Sequence, residues 1–194
     1  IDPARVREEI DAIRTDNSLP DEMRARCQEI LTATLTDIES KEEDQLQIKQ
    51  LVKAAKSSEQ RKKSVENSAN KPVTISFDSV TQDSDATKIE ELLRSLNKDL
   101  LATTLEANRI QKELNARRTE TKALPVQISK NEEELNALGT PEENTDSNPV
   151  LTTALKQATI AKRAKLVTAL ELCRQKIVTY DAEASVLPVS YTHL

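Results

Sequence analysis

Residues 87–138 read TKIEELLRSLNKDLLATTLEANRIQKELNARRTETKALPVQISKNEEELNAL, the clearest periodic stretch in the chain. Apolar residues recur in it at alternating four- and three-residue spacing: Ile89, Leu93, Leu96, Leu100, Ala107, Ile110, Leu114 and Leu124. Ile128, Leu135 and Leu138 carry the same phase onward, while Thr103, Arg117, Thr121 and Asn131 are its polar members. A repeat averaging 3.5 residues keeps one seam of an α-helix turned toward a partner helix. Thr87 and Glu90 form a capping-box pair at the start, each able to satisfy the other's backbone donor. Pro125 removes one backbone bond; the phase is unbroken across it, which predicts a bend rather than a reversal. About 50 helical residues would measure roughly 75 Å, longer than a globular core requires. Gly139 closes the rod, as the residue type favoured just past a helix end.

The chain on either side reads as further helix separated by punctuated breaks. Residues 140–148 form an acidic, proline-flanked turn, and Asn148-Pro149 restarts a helix with a cap followed by proline. Its stripe is Leu151, Leu155, Leu166, Leu170, Cys173, Ile177 and Tyr180, loosened by Thr159 and Lys162. The short turn predicts that this helix folds back antiparallel on the one before it. On the other side, residues 57–86 are rich in Ser, Asn, Gln, Asp and Lys and contain Pro72. Val73-Thr74-Ile75-Ser76-Phe77 alternates like a strand but has no visible partner. The segment reads as an extended linker docking on a helix through Ile75 and Phe77. Upstream, a helix from Pro20 to Ser57 carries Cys27, Leu31, Leu35, Ile38, Ile48 and Leu51. The first helix begins at Asp2-Pro3, repeats Val6, Ile10 and Ile13, and ends in the turn-forming residues 16–20.

Composition agrees with this pattern and excludes several kinds of chemistry. The 194 residues contain one glycine, no tryptophan and three aromatic side chains, Phe77, Tyr180 and Tyr191. Phosphate-cradling loops need several glycines. With 31% charged and 37% hydrophobic residues, the chain suits helices that bury one stripe. A net charge of -5 argues against nucleic-acid binding, and no apolar run is long enough to span a bilayer.

No catalytic, cofactor-binding or metal-ligating residue is assigned, and no cofactor is expected. The one histidine, His193, lies in the closing residues Ser190-Tyr191-Thr192-His193-Leu194, which resemble translated adaptor sequence. Glu132-Glu133-Glu134 and Glu142-Glu143 lack the loop of a calcium site and read as solvated faces. Arg61-Lys62-Lys63, Arg117-Arg118 and Lys162-Arg163 with Lys165 have no aromatic residues among them to stack on bases, and read the same way. Cys27 and Cys173 occupy stripe positions and read as small buried hydrophobes, with a disulfide between them as the less favoured alternative. The polar seam residues either fix register or mark where the seam opens to water. Arg117 is expected to do the second, its stem covering apolar surface and its head in solvent.

The order of helices and breaks resembles a known family. Arg5-Val6-Arg7-Glu8-Glu9-Ile10-Asp11-Ala12-Ile13 is followed by the Leu19-Pro20-Asp21 break. Then come Leu31-Thr32-Ala33-Thr34-Leu35 and Gln47-Ile48-Lys49-Gln50-Leu51. Val73–Phe77, Ile89-Glu90-Glu91-Leu92-Leu93 and Leu124-Pro125-Val126-Gln127-Ile128 fall in matching order, as does a last helix around 161–180. Over about residues 3–188 this is similar to the periplasmic coiled-coil "porin" region of large mechanosensitive channels of the MscS superfamily, MscK-like. The resemblance implies an extracytoplasmic, all-helical part of an inner-membrane ion channel, with no catalytic role. It implies partners in further copies, in other segments of the same channel or in envelope proteins, and no membrane insertion by this segment. The alternative is a cytosolic structural or scaffold coiled coil within a larger assembly; an enzyme is third.

The expectation is thus an all-α protein of long antiparallel helices with coiled-coil packing and one extended polar linker. Residues 1–188 would be one elongated helical domain cut from a larger chain, and 189–194 a non-native tail.

Overall fold

A computed structural model describes residues 1–69, 86–143, 146 and 148–184. They form four α-helices packed against one another: α1 (Pro3–Thr15), α2 (Asp21–Ala69), α3 (Ala86–Ala137) and α4 (Pro149–Glu183). One 3-10 turn, Pro141–Glu143, lies between α3 and α4, and there is no strand among the described residues. The all-α expectation is met. Val73–Phe77 and the closing residues 185–194 lie outside the described residues.

Helix starts follow from local chemistry. The Asp2 carboxylate accepts the Ala4 N–H at 2.9 Å, with Pro3 in the first turn. Asn148 does the same for α4, its Oδ1 accepting from Val150 and Leu151 at 2.9 and 3.3 Å. Between α1 and α2, Asp16 Oδ1 accepts from the Ser18 N–H and hydroxyl at 2.8 and 2.5 Å. Those bonds hold the Asp16 carboxyl below the usual range. Arg24 donates to the carbonyls of Asp16 and Leu19, so this turn is tied to α2 rather than left to solvent.

Three boundaries differ from the sequence reading. α2 does not stop at Ser57 but continues to Ala69. Residues 57–69 hold no Gly or Pro and are rich in Glu, Gln, Lys and Arg, which favour helix as much as linker. Ser57 and Ser58 donate their hydroxyls back to Ala54 O and Ala55 O at 3.1 and 2.7 Å, so they do not compete with the helix. α3 already includes Ala86, which puts Thr87 inside the first turn and not at the cap. At the other end Gly139 has no positive φ, and Leu138 closes the helix by donating to Glu134 O at 3.0 Å. Helix α3 runs through Pro125 without interruption.

The residues fall into two compact units. One comprises the described residues within Ile1–Lys53 and Ala123–Ile177, the other the described residues within Ala54–Lys122 and Val178–Leu194. In the first unit, Val6 and Ile13 of α1, Leu19, Cys27, Leu31 and Ile38 of α2, and Leu151, Ala154 and Ala161 of α4 form one buried cluster. The two alanines leave room for close helix approach. Glu9 bonds Gln157 at 2.8 Å while Ile13 lies beside Ala154, so α1 runs antiparallel to α4 there. Leu31 sits near Val150 and Ala154, and Asp37 pairs with Lys165 at 2.7 Å, so α2 runs parallel to α4. Within this unit α4 is buried on several sides, at Leu166, Thr168, Leu170, Leu172 and Cys173, more than a single stripe would hide. The buried threonines Thr34, Thr159 and Thr168 donate to carbonyls one turn back at 2.8, 3.0 and 3.0 Å, which satisfies their hydroxyls. Cys27 and Cys173 are buried, as the stripe positions predict, and no disulfide joins them.

In the second unit the α3 seam is covered only in part. Ile110 is buried and Thr103, Ala107, Leu114 and Arg117 are half-buried, whereas Ile89, Leu93 and Leu100 are exposed. The 4,3 spacing predicts one continuous contact, yet the described α4 stops at Glu183, level with Arg117.

Candidate functional site

The densest polar chemistry lies in the second unit, where three helices converge on one carboxylate. On α3, Glu113, Arg117 and Glu120 are spaced by four and three residues and share a face. On α4, Tyr180 and Glu183 share a face in the same way. From α2 comes Arg61.

Arg117 Nη1 donates to Glu183 Oε2 at 2.6 Å, and its Nη2 donates to Glu113 Oε1 at 2.7 Å. Arg61 pairs with the other Glu183 oxygen, so one carboxylate lies between two guanidinium groups. Glu183 is only 3% exposed. The Tyr180 hydroxyl donates to Glu120 Oε2 at 2.5 Å, and the Arg117 guanidinium stands 5.3 Å from the Tyr180 ring centroid. Burial first, then the hydrogen bond to the Glu120 carboxylate and its charge, push the Tyr180 phenol up to about 12. Pairs 117–183 and 120–180 show that α3 and α4 run antiparallel in this unit, as the short turn predicts.

This arrangement corrects the expectation for Arg117. Its head is not in open solvent: the side chain is 24% exposed and pairs with a buried carboxylate. A buried acid between two bases is costly to form and strongly destabilising to break on one side. It therefore specifies which turns of α2, α3 and α4 meet. Thr121 fits the water-open alternative, exposed with its hydroxyl donating to Arg117 O at 2.8 Å. A cleft of about 380 Å³ borders the cluster, lined by Arg117, Arg118 and Lys122 as well as Tyr180, Asp181 and Glu183. Charges of both signs line it, and Arg117 is already engaged by Glu113 and Glu183.

The other charged groups singled out in the sequence fall apart in space. Glu132 pairs with Arg174 at 3.1 Å, Glu134 lies 3.9 Å from Lys130, and Glu133 and Glu142 are exposed. Lys162 and Arg163 are exposed, while Lys165 binds Asp37. Burial pushes the Asp44 carboxyl up, opposed by Lys176 and Lys165. Among the described residues no group of three or more His, Cys, Asp or Glu could hold a metal ion. His193 lies outside the described residues. Glu183 escaped the sequence reading. The one signal for it was Arg117 itself, a base at a seam position that needs an acid on a neighbouring helix.

No family model, curated protein or solved structure matches the chain.

Proposed function

We propose that this chain is a non-catalytic, extracytoplasmic helical domain of a mechanosensitive ion channel, contributing to channel assembly, access or gating environment. The observation that carries this reading is the ordered similarity of helices and breaks along residues 3–188 to the periplasmic region of that superfamily. The all-helical architecture supports it, as does the ionic cluster, which ties three helices together through charge rather than presenting a reactive group. No helix among the described residues is long and apolar enough to cross a membrane. In this reading the pore belongs to other parts of the channel.

The test is the complete gene. The reading predicts an export signal upstream and several apolar spans of about 20 residues downstream. A frame without apolar spans, or with a nucleotide-binding motif upstream, would instead favour a scaffold coiled coil.

A further inference from the structure

We infer that the cleft where α1, α2 and α4 meet in the first unit binds a small primary ammonium ion, its apolar body in the cleft and its cationic head on Glu9. The cleft measures about 240 Å³. Its apolar walls are Ala12 and Ile13 of α1, Leu31 of α2, and Val150 and Ala154 of α4. With alanine at 12 and 154, the wall around Ile13 and Leu31 is left with space that a longer side chain would fill. A cavity of about 150 Å³ lined by apolar side chains takes a benzene ring. This cleft therefore has room for a body of about six to eight carbons together with a headgroup.

The polar groups at the cleft select the head. Among the described residues Glu9 is the one charged group that lines it. Thr153, the other polar lining residue, already donates its hydroxyl to Pro149 O at 2.8 Å. Glu9 Oε2 accepts from Gln157 Nε2 at 2.8 Å. Glu9 Oε1 faces Arg5 at 3.3 Å, a side chain that is 77% exposed. So exposed a pair is screened by water and contributes little, and a cation seated in the cleft displaces it at small cost. On the same glutamine that bonds Glu9, Oε1 is buried and has no hydrogen-bond partner among the described residues. A buried carbonyl without a donor is costly. The last torsion of a glutamine is broad, so this oxygen can turn toward a donor placed at Glu9. An ammonium carries three N–H donors and no acceptor. It suits a carboxylate beside an unsatisfied carbonyl, whereas a hydroxyl brings one donor and an anion is repelled.

This inference does not rest on the channel reading, because binding is read on the chain alone. Benzylammonium is the probe, with benzyl alcohol and benzoate as its neutral and anionic counterparts. In amide chemical-shift titrations of the isotope-labelled chain, benzylammonium should saturate with a dissociation constant of about 0.1–5 mM. The shifted amides should cluster at residues 9–13, 31 and 150–154, which line the cleft. Benzyl alcohol should bind about tenfold more weakly, and benzoate not at all. Glu9→Gln should weaken benzylammonium about tenfold and leave benzyl alcohol unchanged. Ala12→Leu, at an exposed position on the cleft wall, should keep the helical circular dichroism and abolish binding of both. No saturable shift up to about 50 mM would overturn the proposal. So would shifts clustered outside the cleft, equal binding of the three probes, or ammonium binding undiminished in Glu9→Gln or Ala12→Leu.

Discussion

Arg117 and Glu183, 66 residues apart in sequence, meet at 2.6 Å between α3 and α4. Arg61 of α2 engages the other oxygen of the same buried carboxylate. A coiled-coil seam built mainly from leucine and alanine can slip by a heptad at modest cost. A buried carboxylate that must find two particular guanidinium groups cannot, since a slipped register would leave it unpaired. The apolar seam supplies most of the attraction, and the ionic cluster selects one alignment.

Tyr180 should report this environment directly. Its phenol is held near 12 against an ordinary 10. A raised folded value means the neutral form is favoured in the native state. The associated stability is therefore fully present below about pH 10 and is lost as pH rises toward 12. In a Tyr191→Phe chain the phenolate absorbance has one source. It should titrate near 12 in buffer and near 10 in concentrated urea. Native titration at the ordinary value would mean that Tyr180 is neither buried nor bonded to Glu120.

Asp44 carries the opposite liability. Burial pushes its carboxyl up, so the native state is strained by its charge at neutral pH. Asp44→Asn should raise the melting temperature at pH 7. The advantage should vanish as pH falls below the ordinary aspartate range, where the parent carboxyl is protonated in both states. A destabilised Asp44→Asn chain would show instead that the attraction of Lys165 and Lys176 outweighs burial.

How much of this was legible beforehand differs from element to element. The α3 seam between Thr103 and Leu138 could be read directly, because period and burial agree there almost throughout. Its first turns carry the same period yet are exposed, since a repeat announces that a helix needs a partner without saying where the partner ends. The extension of α2 through residues 57–69 was hidden for a different reason. Ser, Gln, Lys and Glu serve a solvated helix and a linker equally well, and what decides is whether a neighbouring helix buries positions such as Ser58. Glu183 was invisible because a glutamate one step off an apolar stripe has no signature of its own. Only the fold brings Arg117 to it.

The core of the first unit makes a prediction in ordinary packing terms. Leu31 and Cys27 are buried in the cluster joining α1, α2 and α4. Leu31→Ala should cost about 2–5 kcal/mol by lost transfer energy and a cavity, read from urea unfolding. Burial also pushes the Cys27 thiol up, so it should resist an aromatic disulfide reagent at neutral pH until the chain unfolds. Rapid reaction in the native protein would place Cys27 outside the core.

In this reading the ion pair of Arg117 with Glu183 fixes the packing of α3 on α4. A double-mutant cycle with Arg117→Met and Glu183→Leu, followed by urea unfolding, measures it most directly. Each single substitution should destabilise the fold, because Arg117→Met leaves the buried Glu183 carboxylate with Arg61 alone and Glu183→Leu leaves Arg117 with Glu113 alone. The double substitution should recover much of that loss, giving a coupling energy of at least about 1.5 kcal/mol. Additive losses, with coupling near zero, would contradict the claim and leave the seam residues to hold the register alone.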